Sequence, residues 1–161
     1  MDRAMTAKEV LDSHWDGTLP VPLIAIANAM GIRVFKNPSL GYSGKVYLDD
    51  QGVPRIVYDS SEPAVRQRYT IAHEIGHVAL GHLSSGGVEF RDEAEKFFST
   101  VREPKEVSAN KFAARLLMPA ERVRTAFLKM ADLSIEDMAA MFNVSTAAMR
   151  YRLINLGLIR G

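Results

Sequence analysis

The 161-residue chain is 47% hydrophobic, enough to bury one good core with a small second module attached, and its 20 basic and 19 acidic side chains leave a formal charge of +1. No global field draws it to nucleic acid or to an anionic membrane, so any such contact has to be local. With no cysteine, disulfides and thiolate metal sites are excluded, and a metal would have to be held by histidine and carboxylate.

The N-terminal "MDRAMTAKEV" has no apolar signal region. "TAKE", Thr6 to Glu9, has the spacing of a capping box, which predicts a short helix to about Trp15. A second helix is predicted from Pro22 to Met30, with Gly31 where a left-handed cap would sit. The longest apolar run, Val21 to Met30, is far short of the ~20 residues that span a bilayer, so a soluble cytoplasmic protein with no membrane partner is expected.

Between Ile32 and Asp59 the texture changes to short β-rich runs, "IRVFK", "GKVYL" and "RIVYD", which read as a three-stranded antiparallel meander. A long helical pattern follows, with Pro63 in its first turn and Tyr69, Ala72, Ile75, Ala79 and Leu83 on one face. Ser84 to Pro104 shows no single-face pattern and reads as an insertion with a helical turn or more. "PKEVSANKFAARLLMP" is a helix opened by Pro104 and stopped by Pro119, and three further helices complete the chain. The expected fold is thus α+β and mostly helical, a small antiparallel sheet packed on the long helix, with a core to residue 119 and a helical module over 120–161.

The long helix carries "TIAHEIGHVALGH", Thr70 to His82. Each helical residue advances about 100°, so His73 and His77 lie about 40° apart and one turn along, and Glu74 falls about 60° round from His77. Two imidazoles can then ligate one ion while the carboxylate stands beside its open position as a general base, the His-Glu-x-x-His pattern of metal-dependent hydrolysis. Gly76 costs about 1 kcal/mol in a helix interior, which suggests close approach of backbone or substrate there. His82 is one residue out of register for a third ligand and, on a helix that continues, points about 140° from His77, so it reads as a helix-end cap or rim residue.

A third ligand must come from elsewhere. Of Glu89, Asp92, Glu93, Glu95, Glu103 and Glu106, only Glu106 sits firmly in an amphipathic helix, sharing a face with Asn110 while Phe112, Ala113, Leu116 and Leu117 anchor another. Asn110 could hydrogen-bond a ligand. Geometry leaves Glu106 balanced against a plain helix-dipole role, with Glu103 next in line.

Taken together, "RQRYTIAHEIGH" from Arg66, "EVSANKFAARLLMP" from Glu106, "SGKVYLDD", "IVYD" and "MFNVSTAAMRYRLINLGLI" resemble the ImmA/IrrE-type zinc metallopeptidases, found with mobile-element immunity repressors and in the radiation response of some bacteria. The resemblance covers most of the chain from Pro20 onward and implies a gluzincin-like site with His73, His77 and Glu106 as zinc ligands and Glu74 as general base. Many members carry a second acidic residue where this chain has Ser108, which leaves Glu106 as the matching ligand. The resemblance further implies an anti-repressor protease whose substrate is a helix-turn-helix repressor encoded nearby. A two-His-one-Glu site also accepts Mn2+.

The extended substrate is expected along "RIVYD" or "GKVYL". Tyr42, Tyr47, Tyr58 and His82 are candidates to stabilise an oxyanion, though strand aromatics more often simply pack. "SIEDMAAMFNVSTAAMRYRL" resembles a helix-turn-helix capped by Ser134 and Ser145, with Arg150 and Arg152 on its exposed face. Direct DNA binding, or a non-catalytic regulator that binds a repressor or toxin, are the rival classes. The single arginine pair argues against the first, the intact Glu74 against the second.

Overall fold

The computed structural model describes residues 3–83, 90–92, 103–129 and 132–161. The first helix, α1 (Ala7–His14), begins at the expected capping box: Glu9 N–H donates to Thr6 Oγ1 and Thr6 N–H to Glu9 Oε1. Met5 N–H donates to Ala79 O at 2.8 Å, tying the N-terminus to the end of the motif helix. Helix α2 (Leu23–Ala29) buries Leu23, Ile26 and Ala27 and stops at Gly31, whose φ of +81° suits a residue without Cβ.

The sheet corrects the expected meander. Strands β1 (Arg33–Asn37), β2 (Gly44–Leu48), β3 (Pro54–Asp59) and β4 (Phe90–Asp92) lie in the order β1-β3-β2-β4, with β1 parallel to β3 and the other pairings antiparallel. The β2–β3 hairpin is local: Asp49 Oδ1 accepts from Gln51 N and Val53 N, and Gly52 takes φ +77°. The loop out of β1 crosses the end of β3 before entering β2, held where Ser60 N–H donates to Asn37 O and Asp59 N–H to Ser43 O. Burial explains the order. Ile56 and Tyr58 make β3 a central strand, whereas Arg33, Lys36 and mostly exposed side chains suit β1 to an edge. Both "GKVYL" and "RIVYD" are therefore interior strands without a free edge for a peptide, contrary to expectation.

The fourth strand arises within the stretch read as an irregular insertion. Most of that stretch, including Glu89, Glu93 and Glu95 and the side chain of Asp92, lies outside the described residues.

Helix α3 (Ala64–Ala79) starts with Pro63 as its N-cap rather than inside the first turn, and ends before Leu83. It packs against β2, β3 and helix α4 (Pro104–Leu117). Val46 and Ile56, opposite each other in the sheet and fully buried, share the core with Ile71 and Ile75. A Cβ on Gly44 would stand 2.5 Å from Thr70 Cγ2 and 2.9 Å from Val57 O, so the sheet meets α3 where only glycine fits.

Helices α5 (Ala120–Lys129), α6 (Ile135–Phe142) and α7 (Thr146–Asn155) complete the fold. Ser134 and Ser145 cap α6 and α7 as expected, and Asn143 between them is left-handed at φ +53°. Met138, Phe142, Met149 and Leu153 join the same buried cluster as Leu116 to Met118. Arg152 departs from expectation. It is only 8% exposed, and its Nε–H donates to Met118 O at 2.9 Å, so it satisfies the carbonyl end of α4 and leaves Arg150 alone on the outer face. Among the described residues, no helix is long and apolar enough to cross a membrane.

Candidate metal centre

The α3 segment from Thr70 to His77 is buried throughout, which is unusual for two histidines and a glutamate. Helical spacing sets His73 and His77 side by side, with Nε2 atoms 3.2 Å apart and both residues at 0% exposure. Glu106, in the first turn of α4, closes the group: Oε2 lies 2.9 Å from His73 Nε2 and Oε1 3.1 Å from His77 Nε2. Pro104 at the helix start fixes where that first turn begins, and Phe112, Leu116 and Leu117 root the helix in the core. Glu103, the next candidate in sequence, is an exposed N-cap residue.

Glu74 is fully buried, and its Oε1 stands 3.9 Å from His73 Nε2. His73, Glu74 and His77 form a group whose ligand atoms all lie within 4.8 Å, which could hold a metal ion. The shorter contacts are those of Glu106, whose two oxygens face the two imidazoles at 2.9 and 3.1 Å, while Glu74 Oε1 stands at 3.9 Å from His73 Nε2. The donor set fits a borderline ion that takes nitrogen and oxygen. Burial pushes the Glu106 carboxyl up, but hydrogen bonds and charge from His73 and His77 outweigh it and hold the group well below the usual carboxylate range, in the ionised form that ligation requires.

Several surrounding residues escaped sequence reasoning. The helix does not continue past Ala79. Gly81 takes φ +75°, Gly81 N–H donates to Val78 O and His82 N–H to His77 O, a Schellman ending that turns the chain back on itself. His82 therefore does not point away: its Nδ1 lies 2.8 Å from His77 Nδ1. Gly81, four residues after His77, was the available signal. Burial, then the nearby His77, Lys105 and His73, outweighs the pull of Glu106 and lowers the His82 imidazole to about 4. Phe90 of β4 stacks on the His77 ring with centroids 4.1 Å apart, and the Lys105 ammonium lies 5.9 Å from the Phe90 centroid.

Asn110 also acts one step further out than expected. Tyr69 O–H donates to Asn110 Oδ1 at 2.8 Å, and the Tyr69 ring lies along His73 with centroids 6.2 Å apart. Of the oxyanion candidates, Tyr58 is in the core, Tyr47 lies under Lys45 and Tyr42 under Arg91.

A family model of the M78 peptidases, described as the IrrE N-terminal-like domain, matches residues 27–154. The chain belongs to this family. A search of curated proteins finds no match. The family assignment supports a metallopeptidase-type function, and the matched span runs from α2 into α7, taking in both the histidine helix and Glu106.

Proposed function

We propose that this member of the IrrE N-terminal-like family is a zinc-dependent metalloendopeptidase that cleaves a helix-turn-helix repressor in the cytoplasm. The carrying observation is a convergence across two helices: Glu106 Oε2 lies 2.9 Å from His73 Nε2, Glu106 Oε1 3.1 Å from His77 Nε2, and the two Nε2 atoms 3.2 Å apart. These three residues hold the ion, zinc by donor set with Mn2+ as the alternative. When bound, the ion supplies Lewis acidity, polarising a peptide carbonyl and acidifying water.

The protein supplies the rest. Glu74, beside the ligands and on the same helix, takes the proton of the attacking water and returns it to the leaving amine. His73 and His77 turn their Nε2 atoms toward each other and toward Glu106, and the Phe90 and Tyr69 rings stack along the two imidazoles. A substrate strand pairs with β4, which among the described residues is the sheet edge and carries Phe90 against His77. The core to Pro119 carries the chemistry, and the helices over 120–161, with too little positive charge to read as a DNA-binding face, serve as a module for docking the repressor. Burial of Arg152 weighs against a DNA-reading face.

Co-expression with the repressor encoded next door provides the test. Wild type should cleave it, Glu74→Gln should retain zinc and lose cleavage, and His77→Ala should lose both. Zinc-loaded wild type that leaves every neighbouring repressor intact would overturn the substrate assignment.

A further inference from the structure

We infer that His82 is a positioning residue for the metal centre, accepting the Nδ1 proton of His77 so that Nε2 of His77 is presented to the ion as a bare lone pair. The inference rests on the reading of His77 as a metal ligand.

A neutral imidazole carries one proton, on either Nδ1 or Nε2, and only the form protonated at Nδ1 leaves Nε2 free to ligate. What bonds Nδ1 therefore selects the tautomer, and metal-bound histidines almost always donate this second N–H to a fixed acceptor. Carboxylates and backbone carbonyls commonly fill that role. Here His77 Nδ1 faces another imidazole nitrogen, His82 Nδ1, at 2.8 Å. An N–H···N bond holds a single proton between its two nitrogens. If His82 donated it, the His77 proton would sit on Nε2, aimed at Glu106 Oε1 and His73 Nε2 3.1 and 3.2 Å away, the space the ion needs. If His77 donates, His82 keeps its own proton on Nε2 and the ligand face is clear.

The backbone is built to hold this pairing. Gly81 at φ +75° reverses the chain, and His82 N–H donates to His77 O at 2.9 Å, so His82 is bound to the same residue by main chain and by side chain. Phe90 stacks on one face of the His77 ring at 4.1 Å, and the Nδ1 contact fixes which ring edge faces His82, so the two together hold the turn about Cβ–Cγ. No Cβ contact requires glycine at 81, so its role is the backbone turn itself.

Zinc affinity, measured by chelator competition on the full chain, separates positioning from packing. His82→Leu keeps the bulk and removes the acceptor; it should weaken zinc binding about 10- to 100-fold, the usual cost of losing such a partner. His82→Asn, which returns an acceptor oxygen near the place of Nδ1, should restore most of the loss. In zinc-loaded wild type labelled with 15N, a through-hydrogen-bond coupling should link the Nδ1 atoms of His77 and His82. Equal affinity of His82→Leu and wild type, or an Asn variant as weak as the Leu variant, overturns the inference. Wild type that binds no zinc overturns the ligand reading beneath it, a distinct result.

Discussion

Gly76 presents its Cα to Phe112 so closely that an added Cβ would meet Phe112 Cβ, Cγ and Cδ1 at 3.2 Å each. This contact sets the spacing of α3 and α4, and so the distance at which Glu106 reaches the two histidines. The glycine inside the motif thus serves helix approach; the close neighbour is a side chain, where backbone or substrate was expected.

Gly76→Ala should force the helices apart. Overpacking of this kind costs about 1–3 kcal/mol, partly offset by the helix preference of alanine, about 1 kcal/mol. Denaturant unfolding should show a net loss, and zinc titration a weaker site. Phe112→Ala removes the other partner and should cost about 3–5 kcal/mol by the same unfolding measurement.

Glu106→Gln keeps the shape but removes the charge that faces both imidazoles. Zinc affinity should fall steeply, with the fold retained by circular dichroism, whereas Glu103→Gln, at an exposed cap, should leave affinity unchanged.

Arg152→Met should destabilise the chain by about 1.5–3 kcal/mol, the value of a hydrogen bond from a charged donor, because Met118 O loses its partner. Zinc content at saturation should not change. If the variant instead leaves stability intact, the buried guanidinium is not what joins α7 to the end of α4.

The turn of the β2–β3 hairpin gives a pH signature. Asp49 is held below its ordinary value of 3.8 first by the Val53 N–H, with Arg55 and the Gln51 N–H adding to this against a desolvation penalty. A carboxylate depressed in the folded state binds fewer protons there than in the unfolded chain, so its stabilisation is present above 3.8 and fades as pH falls toward the lower folded value. The stability gap between wild type and Asp49→Asn should therefore be full at neutral pH and close on acidification, read by thermal melts across pH.

The division between what the sequence reveals and what it hides follows the range of the physics. Helices α1 and α4 and the caps at Ser134 and Ser145 were legible because capping and proline effects act within one turn. His73 beside His77 was legible because helical spacing is fixed. Strand order was not: β1 pairing in parallel with β3 depends on which strand buries Ile56 and Tyr58, a comparison across the whole sheet. Arg152 shows the same limit, since an arginine on a helix face gives no sign that a distant carbonyl awaits it. His82 was missed for a local reason, the stopping power of Gly81, and one altered helix end moved the side chain from the rim to the His77 ring.

An anomalous-difference map from zinc-loaded crystals would test the central claim most directly. The expected result is one peak about 2.0–2.2 Å from His73 Nε2, His77 Nε2 and an oxygen of Glu106, with Glu74 outside bonding distance. A peak bound by Glu74 with Glu106 turned away, or no peak between the two helices, would contradict it.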